Sequence, residues 1–151
     1  KEKGIYSLLN IIKEIKVDLT LTIIGAEKNS LTQIKQDNVH VYEVENNEQN
    51  LIKFYDDHNI FILPSYTEGH PMVLLEALAR LRPVIIFRNI EHVVGNKKGI
   101  FVAERNSKSL LEQIKYIKKN YKDIQEDMKK NKLPTKDEFL SKFSDLISKS
   151  S

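Results

Sequence analysis

Apolar positions recur along the chain in two rhythms, one helical and one of short strands. Ile5, Leu8, Leu9 and Ile12 fall at helical spacing and predict a helix over 4–16. Leu19 to Gly25 (LTLTIIG) alternates and then turns apolar, which predicts a strand over 19–24 running into a loop. The same reading gives a short helical piece near 30–35, a strand over 39–44, a helix over 47–56, a strand over 59–63, a helix over 71–80 and strands over 83–87 and 100–103. A helix over 107–119 follows, with Ser107 as its N-cap, and helical segments over 121–131 and 136–148 are separated by a break at Pro134-Thr135. Strands alternating with helices argue for an α/β fold: a doubly wound, Rossmann-like parallel sheet with helices on both faces and extra C-terminal helices. Ligands in such folds bind beyond the carboxyl ends of the strands. Gly25 and the Pro64–Pro71 turn both follow strands at that edge.

The most chemical stretch is FILPSYTEGHPMVLLEALARLRPVII, from Phe61 to Ile86. Pro64 and Ser65 break an apolar strand, Gly69 is expected to free the backbone for a tight turn, and Pro71 suits the first turn of a helix. From Met72 to Ala79 only Glu76 is polar, so that helix is expected between sheet and protein rather than facing water. A carboxylate there needs a specific partner or a wet edge. Arg80, four residues on, offers an i,i+4 ion pair, and with a solvated Glu68 it makes a purely structural alternative. A ligand is the other answer. Glu68 lies just before the helix, and Glu76 sits roughly 7–8 Å along its axis. The N–H groups around His70, Pro71, Met72 and Val73, at the positive dipole end, make an anion site between the two. Carboxylates flanking a phosphate site could hold hydroxyls on either side of a diphosphate, which is the outline of a sugar nucleotide.

On these residues the stretch resembles the donor-binding signature of family 4 (group 1) glycosyltransferases, retaining enzymes of the GT-B fold. Pro64-Ser65, Glu68, Gly69, the Glu-x7-Glu spacing to Glu76, Ala77, Ala79, Pro83, Val84 and Ile85 are in register with it. The resemblance implies that Glu68 lies by the transferred sugar and the β-phosphate and is the candidate catalytic residue. It implies that the turn from Gly69 through His70, Pro71, Met72 and Val73 gives amides to sugar and phosphate, and that Glu76 holds the ribose diol. Lys3-Gly4 resembles the pair that opens the first helix of the nucleotide domain, where the lysine meets the diphosphate. The resemblance also implies that Gly25 ends the family's second strand, ahead of the base-side loop. The chain departs at Gly25-Ala26-Glu27-Lys28, where a second glycine is common, and at Leu81, where relatives usually carry glycine. Leu81 is therefore expected to end the helix without the left-handed conformation that glycine adopts easily.

Composition sets bounds on this picture. At 151 residues, 40% hydrophobic and 30% charged, the chain has the make-up of one soluble globular domain. No apolar run reaches the length of a membrane span and no signal peptide stands out. With no cysteine, disulfides and thiol chemistry are excluded, in keeping with a cytoplasmic location. His40, His58, His70 and His92 lack ligand spacing, and no cofactor or metal is called for, the nucleoside diphosphate sugar being a substrate. The net charge of +3 is unevenly laid out: Lys115, Lys118, Lys119, Lys122, Lys129, Lys130 and Lys132 stand against Asp123, Glu126 and Asp127 in one stretch. These read as the solvated face of an amphipathic helix, with attraction to the inner membrane surface as a second reading. Nucleic acid has little support, with neither an arginine cluster nor an aromatic single-strand motif.

The resemblance implies a two-domain enzyme moving a hexosyl unit to a sugar or lipid-linked acceptor in surface polysaccharide assembly. Its acceptor-binding N-terminal domain is not in these residues, so the chain alone is expected to bind donor weakly and transfer nothing. A strand is expected ahead of Lys3-Gly4, central in the sheet. Without it both neighbours would present open ladder edges, unless the sheet is rearranged. A GT-B sugar-nucleotide epimerase and a non-catalytic α/β binding module are the alternatives in function.

Overall fold

A computed structural model describes residues 4–25 and 37–134. The element order is α1 (Ile5–Glu14), β1 (Leu21–Ile24), β2 (Val39–Tyr42), α2 (Glu48–Asp56), β3 (Phe61–Leu63), α3 (Met72–Ala79), β4 (Val84–Phe87), a 3-10 segment (Arg88–Val93), β5 (Ile100–Ala103), α4 (Ser107–Lys119) and α5 (Tyr121–Met128). The helical pieces expected near 30–35 and over 136–148 lie outside the described residues.

Every strand pairing is parallel, but the described strands form two sheets, ordered β1-β2 and β3-β4-β5. Among the described residues β1 and β3 each stand at an edge, the two edges anticipated beside an upstream central strand. α1 spans the two sheets: Leu8, Ile11 and Ile12 enter the main core, while Leu9 packs with Ile23 and Val39 over the smaller one. His58, just ahead of β3, adds a polar tie, with Nδ1 donating to the Phe54 carbonyl (2.7 Å) and Nε2 meeting the Thr22 hydroxyl (2.7 Å).

β4 is the centre of the larger sheet. Val84, Ile85, Ile86 and Phe87 are all fully buried, which the unbroken VIIF run requires of a parallel strand covered on both faces. α4 closes against β5 through Leu110 and Ile117, and α5 brings Ile124 and Met128 into the same core. The N-cap of α4 is Asn106 rather than Ser107. Its side chain accepts from the Ser109 N–H (2.9 Å), and Ser107, the first helical residue, donates to Glu14 on α1 (2.6 Å). The 3-10 segment was not expected. Its one buried residue, Ile90, leaves no periodicity to read.

α3 ends in a Schellman arrangement, with Leu81 N–H bonded to Leu78 O (3.0 Å) and Arg82 N–H to Ala77 O (2.9 Å). Leu81 takes the left-handed conformation (φ 54°), so the expectation that the helix would end without it is corrected. Both hydrogen bonds need that conformation, and the partly buried side chain packs on the core. Among the described residues no helix is long and apolar enough to cross a membrane.

Candidate functional site

The chain leaves β3 at Leu63 and reaches α3 through the turn Pro64–His70, at the carboxyl edge of the larger sheet. Ser65 is fully buried, and its hydroxyl donates to Glu68 Oε1 (2.6 Å). Glu68 is thus half-buried and held, not the solvated side chain of the structural alternative. The turn is gripped from outside by side chains. His92 Nε2 donates to the Glu68 carbonyl (2.7 Å), and Arg105 donates to the carbonyls of Pro64 (2.9 Å) and Ser65 (3.0 Å).

Gly69 does not take a positive φ, which corrects the expectation that glycine is needed there for backbone freedom. What it supplies is room: a Cβ at this position would meet nothing within 4 Å. Pro71 is buried and occupies the N-cap of α3, and no side chain caps that terminus. The N–H groups of Met72 and Val73 meet no acceptor among the described residues, and both side chains are exposed, as is His70. An uncapped, accessible helix N-terminus therefore follows directly on Glu68.

Inside α3, Leu74, Leu75, Ala77 and Leu78 are buried and Glu76 is half-buried. Tyr55, from α2, donates its hydroxyl to Glu76 Oε2 (2.9 Å). Burial raises the Tyr55 pKa well above the ordinary tyrosine range, and the Glu76 charge and hydrogen bond push it the same way. Among the described residues Glu76 Oε1 has no hydrogen bond, so one oxygen is held and the other is available. The i,i+4 pair with Arg80 does not form. Arg80 Nε donates to Asp56 Oδ1 (2.9 Å) and its Nη2 to Oδ2, a fork that takes the cation to the end of α2 and lowers the Asp56 pKa, chiefly through that hydrogen bond.

Gly4 is the buried N-cap of α1 in the left-handed region (φ 65°), set against the Pro64 carbonyl, so the first helix begins at the same turn. Lys3 lies outside the described residues. Gly25 ends β1 with φ 85° and donates its N–H to Tyr42 O (3.1 Å), and the chain beyond it is likewise outside. The structure thus brings Gly4, Ser65 and Glu68 to one turn and places Glu76 on the helix that follows. Among the described residues no group of His, Asp and Glu could hold a metal ion.

Sequence reasoning missed Tyr55, His92 and Arg105. The lone carboxylate in an apolar helix did demand a partner, and Tyr55 is that partner. His92 and Arg105 reach the turn from beyond β4 and β5, and neither carries a local signal.

The family described as glycosyl transferases, group 1, matches residues 1–120. The chain is 27% identical over 116 residues to TuaC of Bacillus subtilis, a protein named for a role as a glycosyltransferase in teichuronic acid biosynthesis; the match covers 76% of this chain and 29% of that protein. It is 29% identical over 130 residues to the capsular polysaccharide biosynthesis glycosyltransferase CapM of Staphylococcus aureus, covering 78% of this chain and 34% of that one. Among solved structures, sucrose-phosphate synthase from Thermosynechococcus elongatus superposes with a TM-score of 0.74 at 18% identity, over 98% of this chain and 42% of that chain, a likeness of fold. The chain spans 29% and 34% of the lengths of the two sequence relatives.

Proposed function

The chain belongs to the group 1 glycosyl transferases, and from that premise we propose that it is the donor-binding domain of a retaining enzyme. The reaction is transfer of a hexosyl unit from a nucleoside diphosphate sugar to a sugar or lipid-linked hydroxyl in surface polysaccharide assembly. The observation that carries this reading is the pair of carboxylates about an uncapped helix N-terminus, Glu68 accepting from the Ser65 hydroxyl and Glu76 held through one oxygen by that of Tyr55. A hydroxyl donor occupies one carboxylate oxygen and leaves Glu76 Oε1 able to accept from a ligand hydroxyl.

In this proposal Glu76 Oε1 accepts from the ribose diol, the Met72 and Val73 amides and the dipole of α3 receive the diphosphate, and Glu68 orients the sugar. Lys3 offsets diphosphate charge. Leaving-group charge is stabilised where it develops, by groups already in place. Half of the reaction centre belongs to an acceptor-binding domain, so these 151 residues bind donor and do not transfer. In the same proposal the site of action is the cytoplasm, at the inner membrane face for a lipid-linked acceptor. The lysines of α4 and α5 would meet anionic lipid on that side.

A thermal-shift panel tests the reading. UDP, GDP or ADP should raise the melting temperature of the wild type and leave that of Glu76→Ala unmoved. No shift with any of the three would sink the donor-binding assignment in favour of a non-catalytic module.

A further inference from the structure

Arg105 follows β5 and makes more polar contacts than any part of the proposed donor site requires. Its Nη1 donates to Pro64 O (2.9 Å) and its Nη2 to Ser65 O (3.0 Å), two consecutive carbonyls at the point where β3 becomes the turn. The fork is itself fixed: Nε and Nη2 both donate to Asn89 Oδ1 (3.1 and 3.0 Å). The guanidinium carbon stands 3.9 Å from the centroid of the Tyr66 ring and 4.3 Å from that of Phe87. Phe87 is fully buried at the end of β4, so the guanidinium is anchored to the central strand. Among the described residues no carboxylate pairs with it, and burial draws its pKa below the ordinary guanidinium value, opposed in part by Tyr66.

A rigid guanidinium fork that spends its donors on two consecutive carbonyls fixes the position of both. The residue it holds is Ser65, whose hydroxyl reaches Glu68 Oε1 at 2.6 Å. Arg105 thereby connects a rigid strand to a carboxylate through one intermediate residue. Glu76 lies outside this linkage, being held by Tyr55 from α2.

We propose, resting on the donor-binding reading, that Arg105 is a positioning residue for Glu68: through Pro64 and Ser65 it sets the sugar side of the donor site and leaves the nucleotide side untouched. A lysine cannot replace a bidentate, ring-stacked fork, so Arg105→Lys keeps the charge and loses the geometry.

The test is calorimetric titration of the chain with a nucleoside diphosphate and with the matching nucleoside diphosphate hexose, for the uridine, guanosine and adenosine series. In Arg105→Lys the affinity for the sugar nucleotide should fall roughly tenfold, while that for the nucleoside diphosphate stays within about twofold of wild type. A general loss of stability would lower both together, and an unchanged ratio overturns the proposal. Should Arg105→Lys not fold, Asn89→Ala loosens the fork without removing it and carries the same comparison. If the wild type binds no nucleotide, the donor reading falls and hydrogen exchange decides on Arg105 by itself. Faster exchange at Tyr66–His70 in the variant, with α2 unaffected, supports positioning; unchanged exchange there overturns it.

Discussion

Tyr55 on α2 donates its hydroxyl to Glu76 Oε2 on α3 across 2.9 Å, so the carboxylate in an otherwise apolar helix is held by a neutral partner rather than a cation. Such an anchor fixes the oxygen without cancelling its charge. Tyr55→Phe keeps the ring, with its packing against Phe61, and removes only the donor. The expected loss is about 1 kcal/mol of nucleotide affinity, roughly fivefold, read by titration with the nucleotide that shifts the melting temperature.

The same bond has a pH signature. The folded pKa of Tyr55 is raised, so its contribution to stability is complete below the unfolded tyrosine value of about 10 and is lost as pH rises through the folded value. The stability advantage of wild type over Tyr55→Phe, measured by denaturant titration, should be constant between pH 7 and 9 and shrink above about 10. An advantage that grows with alkaline pH would contradict the assignment.

Arg80→Ala tests the rejected ion pair. Arg80 is engaged with Asp56 at the surface, so its removal should leave nucleotide affinity at the wild-type value and barely move the melting temperature. Asp56 has a lowered pKa, which means that any stability from this pair is present above the ordinary carboxylate value and disappears as pH falls through the folded one. Wild type and Asp56→Asn should therefore converge in acid. A drop in nucleotide affinity in Arg80→Ala would show that the cation serves Glu76 after all.

The strands and helices were legible because each buries a continuous face: VIIF of β4 and MVLLEALA of α3 leave few other placements for so much apolar surface. The need for a partner at Glu76 was legible for the same reason, since a charge among leucines is costly by itself. Which partner it has was not, because Tyr55 arrives from another helix and tertiary approach leaves no mark in local spacing. Arg105 shows the limit most clearly. It reads as one charged residue in a loop, and its value comes from Asn89, Tyr66 and Phe87 converging on it. Asn106 in place of Ser107 as N-cap is an error of another kind, two adjacent residues of equal aptitude separated only by the turn geometry.

Leu81 holds a left-handed conformation that costs a non-glycine residue about 1–2 kcal/mol. Glycine would relieve that and forfeit the packing of a partly buried leucine, a term of similar size and opposite sign. Leu81→Gly should thus change stability by less than about 1 kcal/mol in urea unfolding. Leu78→Ala, at a fully buried site three residues earlier, should cost about 2–5 kcal/mol. Comparable losses from the two would mean that the strain at Leu81 is negligible.

Two glycines at the site should respond in opposite ways to one methyl group. At Gly4 a Cβ would stand 1.9 Å from the Pro64 carbonyl oxygen, a backbone atom already held by Arg105, and φ is 65°. Neither partner can withdraw cheaply, because α1 is packed into both cores and the turn is anchored to β4. Gly4→Ala should therefore destabilise the fold by more than about 3 kcal/mol and lower sugar-nucleotide affinity, since the turn it displaces carries Glu68. At Gly69 there is open space and no positive φ, so Gly69→Ala should fold as well as wild type or gain roughly 0.4–1 kcal/mol from a less flexible unfolded chain. On the proposed placement of the sugar beside Glu68, its methyl group would occupy the donor's room, so sugar-nucleotide affinity should drop while the urea midpoint holds or rises. A wild-type midpoint in Gly4→Ala would refute the close approach of α1 to the turn, and undiminished donor binding in Gly69→Ala would move the sugar away from Glu68.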